Sequence, residues 1–391
     1  MKRKAIYRFF DRYLGIPILL ILSILFKRKK RLPVENIKNI IIIKFAAVGD
    51  VLLMVPMLRA LKKSFPYAKT TFLCSDINYS MVKRMNYIDE IINYNIHNAI
   101  LNPLNFFRFL RGIRKINYDL LIDAEQWSRI NAILTVLLKK RFSIGFKFEK
   151  QFKHYYYDAI ADYSKDKHIV ENFLSLLAPI GIHAEENEKD IDFYLSGDVL
   201  EFADKFWNEN NLLDKYVVCL QPGSGTSGFA REWDDKNYAE LGRRLTSEYE
   251  NIRILLTGLK ADFERCENIV KGIGKNAMNI SGLYNMDRDL AIIKKANLMV
   301  CGNTGILHLA ASVKTKTIGL HGPNNPILWG AYDKNAIVVQ SDIFCSPCLF
   351  LGHEFGCKHP VCMDRILVED VYQKVIESIN SDNLSSIKLS A

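Results

Sequence analysis

Four stretches of the chain carry residue types able to do chemistry, and each follows a short apolar run. The first is Lys44-Phe45-Ala46-Ala47-Val48-Gly49-Asp50-Val51. Small residues and a glycine let the backbone turn sharply into a helix, with Asp50 at its start. A carboxylate there either caps the helix by accepting orphan N–H groups or serves as a general base at the mouth of a cleft. The second is Gln221-Pro222-Gly223-Ser224-Gly225-Thr226-Ser227-Gly228, with Arg231 and Trp233 beyond. Backbone N–H groups and hydroxyls such as that of Ser224 can cradle a phosphate, and Arg231 can clamp its charge. No Lys-Ser/Thr pair closes this loop and its glycines lack the dinucleotide spacing, so neither of those phosphate motifs applies. A plain flexible loop is the competing reading.

The third stretch, Cys301-Gly302-Asn303-Thr304-Gly305-Ile306-Leu307-His308-Leu309-Ala310-Ala311, turns from a strand through glycines into a helix of small residues. The N–H groups of Thr304 and Gly305 would face a pyrophosphate, aided by the helix dipole. His308, one turn in, reads by itself as a hydrogen-bonded core residue. The fourth, His321-Gly322-Pro323-Asn324-Asn325-Pro326 with Trp329-Gly330, can close over a sugar or base, although turn chemistry alone accounts for it.

The eight cysteines divide into two sets. Cys74, Cys219, Cys266 and Cys301 sit on apolar segments and read as buried free thiols suited to a reducing compartment. Cys345, Cys348, Cys357 and Cys362 are spaced to hold a structural zinc tetrahedrally, with free thiols or a redox-labile pair as the alternative. No catalytic role attaches to either.

The elements that position these stretches alternate short apolar runs with longer amphipathic ones, the mark of βα units and parallel sheets. Strands are expected at 40–43, 70–74, 88–94 and 118–122, with helices after 50, at 78–85, 104–115 and 129–138; Pro56 should kink the first helix. Beyond a crossover at 181–214, strands are expected at 216–220, 252–256, 298–301 and 317–320, and helices at 235–249, 262–273, 290–295 and 306–313. In open α/β sheets ligands gather at the carboxyl ends of strands, where all four stretches lie. At 391 residues and 49% hydrophobic content the chain can fill two cores.

The net charge of +10 is concentrated: residues 1–31 hold ten Lys/Arg against the single Asp11, leaving the other 360 residues near neutrality. A groove tracking nucleic acid needs cations over the folded body, so that class is set aside. The basic residues flank an uncharged run at 14–26, too short to cross a bilayer upright. Basic residues rather than a small-residue cleavage site follow it, which argues against a cleaved secretory signal. The expectation is a segment held at an anionic membrane surface, with a helix packed on the body as the alternative.

Together the motifs resemble glycosyltransferase family 9, the bacterial lipopolysaccharide heptosyltransferases and their relatives, over about residues 38–375. The resemblance rests on Ile-Ile-Lys-x-x-x-x-Gly-Asp-Val, Pro56 with Leu58-Arg59-Ala60-Leu61, Gln221-Pro222-Gly223-Ser224, Arg231-x-Trp233, and Asn303-Thr304-Gly305-x-x-His308-Leu309-Ala310-Ala311 followed by Gly322-Pro323. Cys345-Ser-Pro-Cys348 and Cys362-Met363 are similar to sequences in that family as well. It implies an α/β fold of GT-B type, two Rossmann-like doubly wound domains facing a central cleft. The domains expected are a membrane-associating segment at 1–35, an acceptor-side domain at 36–198 and a nucleotide-sugar domain at 199–391.

The activity implied is inverting, metal-independent transfer from a nucleotide sugar, most simply ADP-heptose, to a lipid-linked envelope glycan. No cofactor is required, and the place is the cytoplasmic face of the bacterial inner membrane, peripheral or monotopic. By motif position Asp50 matches the catalytic base, Arg231, Thr304 and Gly305 hold the donor's phosphates, and His308 lies in the donor site. Asp262 or Glu264 would bind the ribose. Asn303 stands where the family usually has aspartate and touches the donor sugar, which opens a second reading with a different donor; Arg231 replaces a common lysine. A non-catalytic binder of sugar nucleotides is the rival from another class. Asp190-Ile191-Asp192 and Asp287-Arg288-Asp289 match the acidic metal motif of the other glycosyltransferase fold only superficially, since neither follows a strand.

Overall fold

The computed structural model describes residues 11, 13–25, 36–96, 102–148, 151–225, 228–349, 357 and 359–382. The basic residues within 2–12 and at 27–31, the last residue of the uncharged run, Phe26, and Thr226 and Ser227 lie outside the described residues. The chain divides into two compact units, Met1–Ile191 and Asp192–Ala391.

In the first unit the strands are β1 (Asn39–Ile43), β2 (Lys69–Cys74), β3 (Glu90–Asn93), β4 (Tyr118–Asp123), β5 (Lys140–Lys147) and β6 (Ala159–Asp162). They form one parallel sheet ordered β3-β2-β1-β4-β5-β6. Helices α1 (Gly15–Leu25), α2 (Val48–Leu53), α3 (Val55–Ser64), α4 (Tyr79–Val82), α5 (Pro103–Ile113), α6 (Arg129–Leu137) and α7 (Ile169–Ser175) accompany it. The central position of β1 explains its composition: Ile40 to Ile43 are all buried, as both faces of a doubly covered sheet require.

Pro56 does not kink a continuous helix. The helix stops at Met54 and α3 starts anew, with Pro56 in its first turn, where a missing N–H costs nothing. Strands β5 and β6 and helix α7 were not among the expected elements. Lys140–Lys147 opens and closes on lysine and carries a serine and a glycine, so its apolar pattern is diluted.

Helix α1 both packs and exposes apolar surface. Leu19 is buried with Ala132, Ile133, Val136, Tyr156 and Tyr157, whereas Leu14, Leu20, Ile21 and Ile24 remain exposed. Asp11, the one acid of this region, accepts from the backbone N–H groups of Arg129 (2.8 Å) and Ile130 (3.2 Å) at the start of α6. It also pairs with the Arg129 guanidinium at 3.2 Å. Among the described residues no helix is long and apolar enough to cross a membrane.

The second unit contains α8 (Gly197–Glu209), β7 (Tyr216–Gln221), α9 (Asp235–Glu248), β8 (Ile252–Leu256), α10 (Phe263–Ile273), β9 (Ala277–Asn279) and α11 (Met286–Lys295). It continues with β10 (Leu298–Gly302), α12 (Gly305–Ser312), β11 (Lys316–His321), α13 (Pro326–Trp329), β12 (Ile337–Gln340), α14 (Val361–Asp364) and α15 (Val368–Ser381). The parallel sheet runs β9-β8-β7-β10-β11-β12. Counted within its own unit this is the order of the first sheet, and both match the doubly wound dinucleotide-fold order. Its core gathers Val218, Leu220, Ile254, Leu256, Val300 and Ile318 from the strands with Trp233, Tyr238, Tyr372 and Val375 from the covering segments.

Candidate active site

In each sheet the strand order reverses between the first and fourth strands, β1/β4 and β7/β10, and the polar residues collect at the carboxyl ends of those strands. At β1/β4 the register sets Ile43 opposite Asp123, which brings Lys44 against the segment Asp123-Ala124-Glu125-Gln126. Lys44 is fully buried. Its Nζ lies 2.8 Å from Asp50 Oδ2, 3.4 Å from Glu125 Oε1 and 2.6 Å from Gln126 Oε1. Burial works against the Lys44 charge, but Asp50 and Glu125 outweigh it and hold the ammonium above the ordinary lysine range.

Asp50 sits in the first turn of α2, and its carboxylate accepts no backbone N–H among the described residues; it is turned to Lys44 instead of capping the helix. Behind it, Glu125 Oε2 accepts from Phe45 N at 3.3 Å. Burial pushes Glu125 above the usual carboxylate range, against the pull of Lys44 and Lys153. Lys153, also fully buried, donates to the Glu125 carbonyl at 2.6 Å and lies 3.4 Å from Asp123. Asp123 further accepts from Glu125 N (3.0 Å), Asn131 Nδ2 (3.3 Å) and the Tyr157 hydroxyl. Asp123, Glu125 and Lys153 were not singled out from the sequence. The available signal was the polar run Asp123 to Gln126 directly after a buried strand, the position where α/β sheets place ligand-facing groups.

In the second unit, Asn303, Thr304 and Gly305 follow β10 as a continuous turn into α12, with Thr304 at the N-cap. Thr304 Oγ1 is buried and without a hydrogen-bond partner. Arg231 is buried in a 3-10 turn at Phe229–Arg231, and its carbonyl packs on Gly302: a Cβ there would lie 2.4 Å from the Arg231 oxygen. The glycine ending β10 is therefore what lets the arginine segment approach. His308 is buried on α12.

Asn303 donates through Nδ2 to the Trp329 carbonyl and accepts at Oδ1 from Asn324 Nδ2 at 2.8 Å. Both ends of its amide are thus engaged by the loop after β11. Burial pushes the neighbouring His321 down to about 3, so its imidazole is neutral.

The remaining expected donor residues are placed differently. Ser224 donates from both N (3.0 Å) and Oγ (2.6 Å) to Glu232 Oε1, while Glu232 Oε2 pairs with Arg265 at 2.9 Å. Asp262 accepts from Leu259 N at 2.9 Å and its carboxylate lies beside Gly223, closing the turn after β8. Glu264 is exposed in the first turn of α10.

Cys345, Cys348 and Cys357 are exposed and Cys362 is buried, all as free thiols. Burial, with the nearby thiols of Cys357, Cys348 and Cys345, pushes Cys362 up to about 11. Among the described residues no three His, Cys, Asp or Glu side chains are grouped to hold a metal ion, so the spacing that suggested zinc is not matched by an assembled ligand set. Asp287 and Asp289 lie in the first turn of α11, where carboxylates suit the helix dipole.

Two doubly wound parallel sheets, each with polar loops at its reversal, make a two-domain α/β fold of GT-B type. The pattern of glycosyltransferase family 9 (heptosyltransferase) matches residues 106–359. The chain is 24% identical over 311 residues to the lipopolysaccharide core heptosyltransferase OpsX of Haemophilus influenzae, covering 78% of this chain and 85% of that one. The family 9 glycosyl transferase of Veillonella parvula superposes with a TM-score of 0.73 at 16% identity, covering 90% of this chain and all of that one. The E. coli heptosyltransferase WaaC, solved with ADP, gives 0.66 at 20% identity over 87% and 99%. This chain belongs to glycosyltransferase family 9.

Proposed function

We propose that the protein transfers a heptose from ADP-heptose to a lipopolysaccharide core or related envelope glycan, inverting the anomeric centre in one metal-independent displacement. The observation that carries the reading is the Asp50 carboxylate side chain, 10% exposed at the carboxyl end of the sheet and backed by the fully buried Lys44. Asp50 takes the proton of the acceptor hydroxyl as that oxygen bonds to the anomeric carbon and the bond from that carbon to the diphosphate breaks. Arg231 and the N–H groups of Thr304 and Gly305 stabilise the charge growing on the leaving nucleoside diphosphate. His308 supports the same donor site, and Asp262 or Glu264 binds the ribose. Heptose is supported by family membership and by the activity in the relatives' names.

The neutral Asn303 favours a second reading, the same transfer from a different nucleotide sugar. Turnover against a panel of nucleotide sugars separates the two: activity with another donor and none with any ADP-heptose removes the first. Loss of turnover in Asp50→Asn with donor binding intact is the expected result for the base. Donor binding by the wild type with no transfer from any donor would instead favour a non-catalytic binder.

The acceptor is read as lipid-linked, and the exposed face of α1 between basic runs as the part that meets the anionic cytoplasmic leaflet, peripherally or monotopically. Recovery of the protein with anionic vesicles tests this.

A further inference from the structure

The cluster around Asp50 holds five buried Lys, Asp and Glu side chains: Lys44, Lys153, Asp50, Asp123 and Glu125. Two cations face three carboxylates. Buried charge is costly unless balanced, so a surplus anion in a core needs an explanation. The hydrogen bonds show which carboxylate is the surplus one. Asp123 is held by Glu125 N, Asn131 and Tyr157 beside Lys153. Glu125 is held by Phe45 N and Lys44. Among the described residues Asp50 has Lys44 alone, and its side chain is 10% exposed against 0% for Asp123 and 1% for Glu125.

We propose that Lys44 and Glu125 are positioning residues for the transfer: Glu125 shares the Lys44 charge, which leaves Asp50 as the surplus anion of the cluster and able to accept a proton. The inference rests on the reading of Asp50 as the base. A lysine paired with Asp50 alone would hold it as a closed ion pair and oppose proton uptake. With Glu125 on its other side, Lys44 stays balanced both before and after Asp50 is protonated. With Asp123 and Glu125 ionised, the latter because Lys44 and Lys153 oppose the burial that raises it, uptake of one proton by Asp50 takes the cluster from one net negative charge to neutrality.

Among the described residues, the charged and titratable groups on the elements packed against α2 are engaged elsewhere, with Tyr79 of α4 lying under the Lys83 ammonium at 5.6 Å. On the elements packed against α2, Glu171 of α7 pairs with Lys189, and Lys62 and Lys63 of α3 pair with Asp89 and Glu188. Arg59 of α3 binds the Glu188 carbonyl and the Tyr87 hydroxyl. Beside Lys44 itself, the Asn78 amide donates to its carbonyl and the Phe173 ring lies 5.8 Å from Nζ.

The test is the pH dependence of kcat in the full-length protein, using whichever nucleotide sugar it turns over. Glu125→Gln should lower the plateau by about tenfold and move the acid limb to lower pH, because Lys44 then belongs to Asp50 alone. Lys44→Met should move the acid limb the opposite way, by about one pH unit. Donor KM should hold in both, and Lys44→Arg should restore the limb toward wild type. Limbs that stay in place, or that move in the same direction, overturn the proposal.

If Lys44→Met does not fold, the double variant Lys44→Met/Glu125→Gln replaces it, since it keeps one surplus anion. A limb near wild type then supports the proposal, and one displaced as in Glu125→Gln overturns it. Full turnover in Asp50→Asn would sink the base itself. An inactive Asp50→Asn with unmoved limbs in the other variants would sink only the roles of Lys44 and Glu125.

Discussion

The two units share a strand order and place polar groups at the same topological reversal, yet they fill it with opposite chemistry. At β1/β4 the fill is ionic, with lysines 44 and 153 interleaved among three carboxylates. At β7/β10 it is an engaged amide, a hydroxyl, the start of a helix and one arginine. The difference teaches that sheet topology sets where a site forms while the loops set what it does. Buried ion pairs suit a site that moves a proton. Neutral donors beside the Arg231 cation suit one that receives an anion, while the Glu232 carboxylate near the same loop is drawn to Ser224 and Arg265.

The comparison can be broken most sharply at Asp50. Asp50→Asn is expected to lower kcat by about 10²–10⁴-fold with donor affinity preserved, measured by steady-state turnover and calorimetry. A comparable loss of donor affinity would mean that the ionic site is not confined to proton transfer. Arg231→Ala should do the reverse at the other reversal, raising donor KM by about tenfold or more, with Arg231→Lys recovering only part. An unchanged KM would show that the neutral site does not hold the diphosphate.

A smaller effect concerns stability in the second unit. Burial pushes Asp289 up to about 7 from its unfolded value of 3.8. The folded state holds this proton more tightly than the unfolded one, so stability falls as pH rises from about 4 to 7 and stays low above. Asp289→Asn should therefore raise Tm at pH 8 by about 5 °C and leave it unchanged near pH 3.5, as thermal melts at the two values would show. The smallest effect is expected outside both reversals. Ile21→Asp on the exposed face of α1 should weaken vesicle recovery a few-fold without altering turnover on a soluble acceptor analogue.

Much of the framework was legible in the residues. The central strands β1, β7 and β10 are nearly unbroken apolar runs, and β4 departs from this only at Asp119 and Asp123, because burial on both faces leaves no room for alternation. The glycine-bearing turns after β1, β7 and β10 were legible because a chain reversing sharply needs small residues there. Less legible were β5, β6, β9 and β12. Three of these are short, at three or four residues, and β6, β9 and β12 are at or near sheet edges where one side asks less of the side chains. Ser224 illustrates a different limit. Its place in a glycine loop suggested a phosphate ligand, whereas its hydroxyl is bound to Glu232, a partner eight residues on that no loop pattern announces.

Burial periodicity and turn chemistry are properties of neighbouring residues, so the central strands, most of the helices and the four polar loops could be read directly from the chain. Only the tertiary structure decided that Lys44 meets Glu125 across 81 residues, and that Asn303 meets Asn324 across 21. Those meetings follow from parallel strand pairing, which brings remote carboxyl ends side by side. The register of that pairing is set by the whole sheet and not by the residues that meet.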